Sequence, residues 1–134
     1  MRVLYTVLCE DARLREDGRV DLTGVFHHLF APGFPAQQDR MVLVVNLEWE
    51  PGETGKMDFR IDLVDPAGAP TGSITGQTEV GVPAPHQPPQ RTCLVMELGG
   101  VVFPSPGIYE FELHLRGERT RLGPLHLIEH PEAR

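Results

Sequence analysis

His27 and His28 are the first residues in this sequence to suggest chemistry, because a histidine pair can hold a metal ion or move a proton. Neighbours along a strand point to opposite faces, however, so the two rings are poorly placed to share one ion. No Cys or carboxylate stands beside them at ligand spacing. A hydrolytic site built on either histidine would need a carboxylate delivered from a separate loop. Cys9 is a second candidate, a thiol nucleophile with His27 or His28 as its base. Glu10 and Asp11 follow it directly, and acids raise a thiol's pKa where a reactive cysteine needs it lowered. Glu16-Asp17 with Asp21, and Glu48 with Glu50 and Glu53, lack the dense alternation of oxygen ligands that a calcium loop shows, and they read as solvated turns. No phosphate-cradling loop, nucleophile elbow or zinc-protease helix occurs. The expectation is no catalytic residue, no metal and no cofactor.

Contact with a partner is the better-motivated role. Phe26, Phe30 and Phe34 fall in Val-Phe-His-His-Leu-Phe-Ala-Pro-Gly-Phe-Pro-Ala, partly in a Pro/Gly loop. Plugging the end of the core and forming an exposed patch are both open to these rings, and exposed aromatic patches mark contacts. His27, His28, Phe30 and Phe34 are therefore the candidate partner-contact residues. The connector around Pro85-His86-Gln87-Pro88 is formally a polyproline ligand, but a stiff extended loop accounts for the same residues.

The elements that must position these side chains are short strands. Apolar residues alternate with period two and are interrupted by Gly and Pro every eight to fifteen residues. Met57, Phe59, Ile61 and Leu63 form one inward face, with Asp58, Arg60 and Asp62 outward, ending at the turn Asp65-Pro66-Ala67-Gly68. Met41, Leu43, Val45, Leu47 and Trp49 form another. Val42 and Val44 are apolar too, which points to cover on both sides. Arg2 to Cys9 is a nearly continuous apolar run and also reads as central or doubly covered. Glu16-Asp17-Gly18 turns the chain into a strand over Arg19 to Phe30. Gly72 to Val80 and Arg91 to Phe103 supply further strands, the latter bent at Gly99-Gly100. Only Ala12 to Arg15 has the makings of a helical turn.

In the C-terminal hairpin, a loop at Gly117-Glu118 sets Leu113 against Leu122, and Leu125 and Leu127 come out on the wrong face. A β-bulge at Gly123-Pro124 repairs the phase. That register puts His126 near Glu110 and His114 closer to Arg121, each in a surface hydrogen bond or weak ion pair. The fold expected over residues 1–134 is a single all-β domain, a two-layer antiparallel β-sandwich of about eight strands, Greek-key or jelly-roll-like. A closed barrel would use similar strands.

Composition bounds the rest. At 134 residues, 40% hydrophobic and 23% charged, the chain can bury one core. The net charge of −7, with basic residues scattered along the chain, disfavours nucleic acid and anionic lipid as partners. No apolar run is long enough to span a membrane, and the opening MRVLYTVLCEDARL does not read as a signal peptide. A cytoplasmic protein is expected, with Cys9 and Cys93 as buried reduced thiols; a disulfide between two strands is the alternative.

Leu8-Cys9-Glu10-Asp11, Asp21-Leu22-Thr23-Gly24-Val25-Phe26 and Phe34-Pro35 resemble the opening of a group of small bacterial proteins known only as a domain of unknown function. Leu63-Val64-Asp65-Pro66-Ala67-Gly68 and Pro106-Gly107-Ile108-Tyr109-Glu110-Phe111 are similar to later parts of the same group. The resemblance implies a β-sandwich over nearly the whole chain. It carries over no activity and no catalytic residue.

The leading functional expectation is a non-enzymatic interaction or assembly module that binds a protein partner or itself as a homo-oligomer. Its motives are the aromatic loop, the arginine-rich basic set and open sheet edges. A small-ligand or carbohydrate-binding sandwich comes second; the inward positions of Trp49 and Tyr109 weaken it. A hydrolytic enzyme using His27 or His28 comes third.

Overall fold

The computed structural model describes residues 1–131, and its regular structure is entirely β. Nine strands run in the order β1 (Arg2–Leu14), β2 (Val20–Phe26), β3 (His28–Ala31), β4 (Ala36–Glu48), β5 (Gly55–Val64), β6 (Pro70–Val80), β7 (Arg91–Phe103), β8 (Gly107–Leu115) and β9 (Glu118–Glu129). They form a four-stranded sheet, β2-β1-β4-β7, and a five-stranded sheet, β3-β9-β8-β5-β6. The expected sandwich is thus present. The chain passes between sheets at β2–β3, β3–β4, β4–β5, β6–β7 and β7–β8, giving crossing connections of the Greek-key kind.

Alternation sets the core as expected. Met41, Leu43, Val45, Leu47 and Trp49 from the small sheet meet Met57, Phe59, Ile61, Leu63, Tyr109, Phe111, Leu113, Leu115, Leu125 and Leu127 from the large one. Each fully buried side chain of this size contributes about 1.5–3 kcal/mol. Both large polar aromatics are satisfied inside: the Trp49 indole N–H donates to Thr92 Oγ1 at 2.8 Å, and the Tyr109 hydroxyl donates to the Ser105 carbonyl at 2.8 Å. Tyr109 also sits edge-on to Phe103, with ring centroids 5.1 Å apart.

Four sequence expectations need correction. The segment from Arg19 to Phe30 is two strands, because the chain leaves the small sheet at His27 and enters the large one as β3. There β3 pairs parallel with β9, the one departure from antiparallel pairing among the described strands. Ala12 to Arg15 holds no helical turn: β1 runs on to Leu14, tied to β2 by Ala12↔Leu22 and Leu14↔Val20. The C-terminal hairpin turns on Arg116-Gly117, both at positive φ (51° and 79°), the signature of a type I′ turn. Leu113 therefore faces Thr120, not Leu122. The expected bulge exists one residue earlier, at Leu122-Gly123, where Phe111↔Gly123 gives way to Glu112↔Arg121. It restores the phase, so Leu125 and Leu127 are buried.

Candidate functional site

The central strands of the small sheet are apolar on both faces. On the face turned away from the core, Tyr5, Val7 and Cys9 of β1 lie against Asn46, Val44 and Val42 of β4, and β7 adds Cys93 and Val95 opposite Asn46 and Val44. Val25 of β2 extends the row beyond Cys9. Cys9, Val42 and Val44 are already enclosed by their neighbours, with Val7 and Cys93 packed around them. Tyr5, Val25 and Val95 remain open, at 38%, 48% and 36% exposure. Among the described residues no strand forms a third layer over them. The Tyr5 hydroxyl accepts from the Asn46 amide at 3.3 Å.

Charge clusters close the two ends of this band. At one end Arg40 binds Glu97 at 2.9 Å and Asp11 at 3.0 Å, and also donates to the Glu10 carbonyl at 2.7 Å. The Asp11 carboxyl is lowered by that guanidinium, and Arg40 is raised in turn. At the other end Glu48 accepts from Arg2 at 3.0 Å and from Arg91 at 3.2 Å. The face thus has an apolar centre and a charged, exposed rim.

Neither thiol is poised as a nucleophile. Both are free. Burial, and then the Asp11 charge, push Cys9 up; burial pushes Cys93 up against the opposing hydrogen bonds of Tyr5 and Asn46. They flank β4 four residues apart, Cys9 opposite Val42 and Cys93 opposite Asn46.

The residues singled out from sequence separate in space. His28 and Phe30 lie on the exposed outer face of β3, beside His126 and Ile128 of β9, with the His28 and Phe30 rings edge-on at 5.0 Å. His130 stands edge-on to Phe30 at 6.2 Å, and Ile108 of β8 continues the row past His126. Phe30 and Ile108 are 49% and 54% exposed, so this corner is a second apolar patch. His27 sits at the crossing between sheets, its side chain exposed and its carbonyl accepting from the His126 amide at 3.2 Å. Phe34 is half-buried and packs on the core, as Phe26 does; of the loop aromatics only Phe30 faces solvent. His126 is opposite Ile108 rather than Glu110, because the turn is one residue earlier than expected. No group of three or more His, Cys, Asp or Glu suited to a metal ion occurs among the described residues.

Sequence reasoning missed a polar network on the outer face of the large sheet. Asp62 points away from the core yet is buried. It accepts from the Ser73 hydroxyl and is bridged by Arg60 Nε and His114 Nε2, each at 3.1 Å. His114 was expected near Arg121; it lies opposite Arg60 of β5 in register and its partner is Asp62 of the same strand, which one hairpin's pattern could not reveal. Serine, aspartate and histidine are the members of a hydrolase triad, but here the carboxylate stands between the other two. The imidazole is not placed to take the Ser73 proton. Between the open edges of β6 and β7 lies a cleft of about 380 Å³, floored by Ile61, Leu63, Leu98 and Phe111.

A family model described as a family of unknown function (DUF6941) matches residues 4–128. The chain belongs to this family. The DUF6941 match begins in β1 and ends in β9, so it takes in both sheets and every motif on which the resemblance stood. Comparison with curated proteins gave no match.

Proposed function

We propose that this domain is a non-enzymatic protein-interaction module and that the outer face of the β2-β1-β4-β7 sheet is its contact surface. One observation carries the reading: β1 and β4 are apolar on both faces, and among the described residues no strand lies over the outer one. Doubly apolar strands are ordinarily found between two layers. The ion-paired rim around an apolar centre supports the same reading. The β3–β9 corner, with Phe30, Ile108 and Ile128 exposed beside His28 and His126, supports a second reading in which contact is made there.

Two variants separate them. Val95→Glu puts a charge in the middle of the small-sheet face, and Ile108→Glu does so on the opposite outer face. Assembly is followed by light scattering of the pure chain and by co-purification of a tagged chain from extract. Val95→Glu is expected to remove the wild-type complexes and Ile108→Glu to leave them. The reverse result transfers the contact to the β3–β9 corner; complexes indifferent to both substitutions, or none at all, contradict the proposal.

A further inference from the structure

The two ends of the small-sheet face carry opposite net charge. Arg40 is one guanidinium against two carboxylates, Asp11 and Glu97, leaving −1. Glu48 is one carboxylate against two guanidinia, Arg2 and Arg91, leaving +1. From this we infer, on the contact-surface reading above, that the occupant of the face is a second copy of this chain. The copies sit face to face about a two-fold axis lying in the sheet plane and perpendicular to the strands.

Symmetry selects that arrangement. A two-fold contact brings the same patch of each copy together. With the axis parallel to the strands, each charged end would meet its like. With the axis perpendicular, the Asp11–Arg40–Glu97 end of each copy lies over the Arg2–Glu48–Arg91 end of the other, so the attraction occurs twice. The apolar middle then meets itself, Val7 and Val95 near the axis on either side of the enclosed Val44, with Tyr5 and Val25 around them. Strands in the two layers run close to antiparallel, as aligned sheets pack. A face whose ends are each other's complement is what self-recognition requires; a foreign partner needs no such match.

The area suits a weak dimer. Arg40 and Glu48 are eight residues apart on β4, about 27 Å at strand rise; β1, β4 and β7 span about 14 Å, and β2 adds a fourth strand only as far as Phe26, level with Leu43, which gives roughly 450 Å² per copy. Two copies bury about 900 Å², at the low end for a specific contact, so a weak, micromolar dimer is expected.

Light scattering of the pure chain tests this. Wild type at about 100 μM is expected at twice the 14.9 kDa chain mass, falling to one chain at about 1 μM. Arg91→Glu makes both ends −1 and Glu97→Arg makes both +1. Each alone is expected to weaken association at least tenfold, and an equimolar mixture of the two to regain the two-chain species. Circular dichroism checks that both fold.

Wild type with a single-chain mass throughout would overturn the second copy as occupant, while co-purification still judges the contact surface separately. A dimer indifferent to Val95→Glu would overturn both. A dimer lost in Val95→Glu yet absent from the charge-variant mixture would overturn the two-fold arrangement.

Discussion

Asp62 shows how one carboxylate holds three strands together. Burial alone would raise its pKa, but the Ser73 hydroxyl, the Arg60 guanidinium and His114 together hold it below the ordinary aspartate range. A folded-state pKa below the unfolded value, near 3.9, contributes stability that is complete above about pH 4 and lost as pH falls through the folded value. Asp62→Asn is therefore expected to cost about 1–3 kcal/mol at pH 7, with the gap from wild type closing below about pH 4. Thermal unfolding followed at pH 7 and at pH 3 checks both; an undiminished gap at pH 3 would count against the network. Gly76 answers to packing rather than charge. A Cβ there would lie 2.5 Å from Cζ of Phe59, whose ring covers that glycine from the paired strand. Gly76→Ala should cost about 1–3 kcal/mol by forcing the ring aside. At Gly72 nothing lies within 4 Å, so Gly72→Ala is the near-neutral control in denaturant unfolding.

At the scale of elements, much was legible because period two is a local signal. The inward faces of β4, β5 and β8 follow from alternation alone, as does the need for a bulge in β9. Phase was harder. The β8–β9 turn depends on Arg116, a non-glycine residue in the left-handed region, which composition does not advertise; shifting the loop by one residue moved Leu113, His114 and His126 to different partners. The same conformation makes a prediction. Arg116→Asn creates Asn-Gly, the preferred type I′ pair, at the loss of only a long contact from the exposed Arg116 to the partly covered Glu53 at 3.8 Å. It should raise stability by about 0.5–1 kcal/mol, seen as a higher denaturant midpoint at unchanged slope. The break at His27 escaped notice for a related reason. Val20 to Ala31 is strand on either side of a single bend at His27, and only the partners on either side show that it serves two sheets.

For the whole molecule, the candidate site was half visible. The sequence shows Val42 and Val44 apolar on the second face of their strand, and β1 apolar almost throughout. It does not show that these second faces adjoin, or that Cys93 and Val95 join them, because that needs the order β1-β4-β7 across most of the chain. The aromatic loop drew attention instead, and it divided on folding: Phe34 onto the core, Phe30 into solvent. Cys93 offers the most direct test of whether the small-sheet face is covered in solution. It is half-buried on that face and reduced, whereas Cys9 is fully enclosed. The rate of Cys93 alkylation, read by peptide mass, should fall severalfold as wild-type protein is concentrated from about 1 to 100 μM, and should stay constant in Val95→Glu. A wild-type rate independent of concentration would contradict a face covered by a second copy.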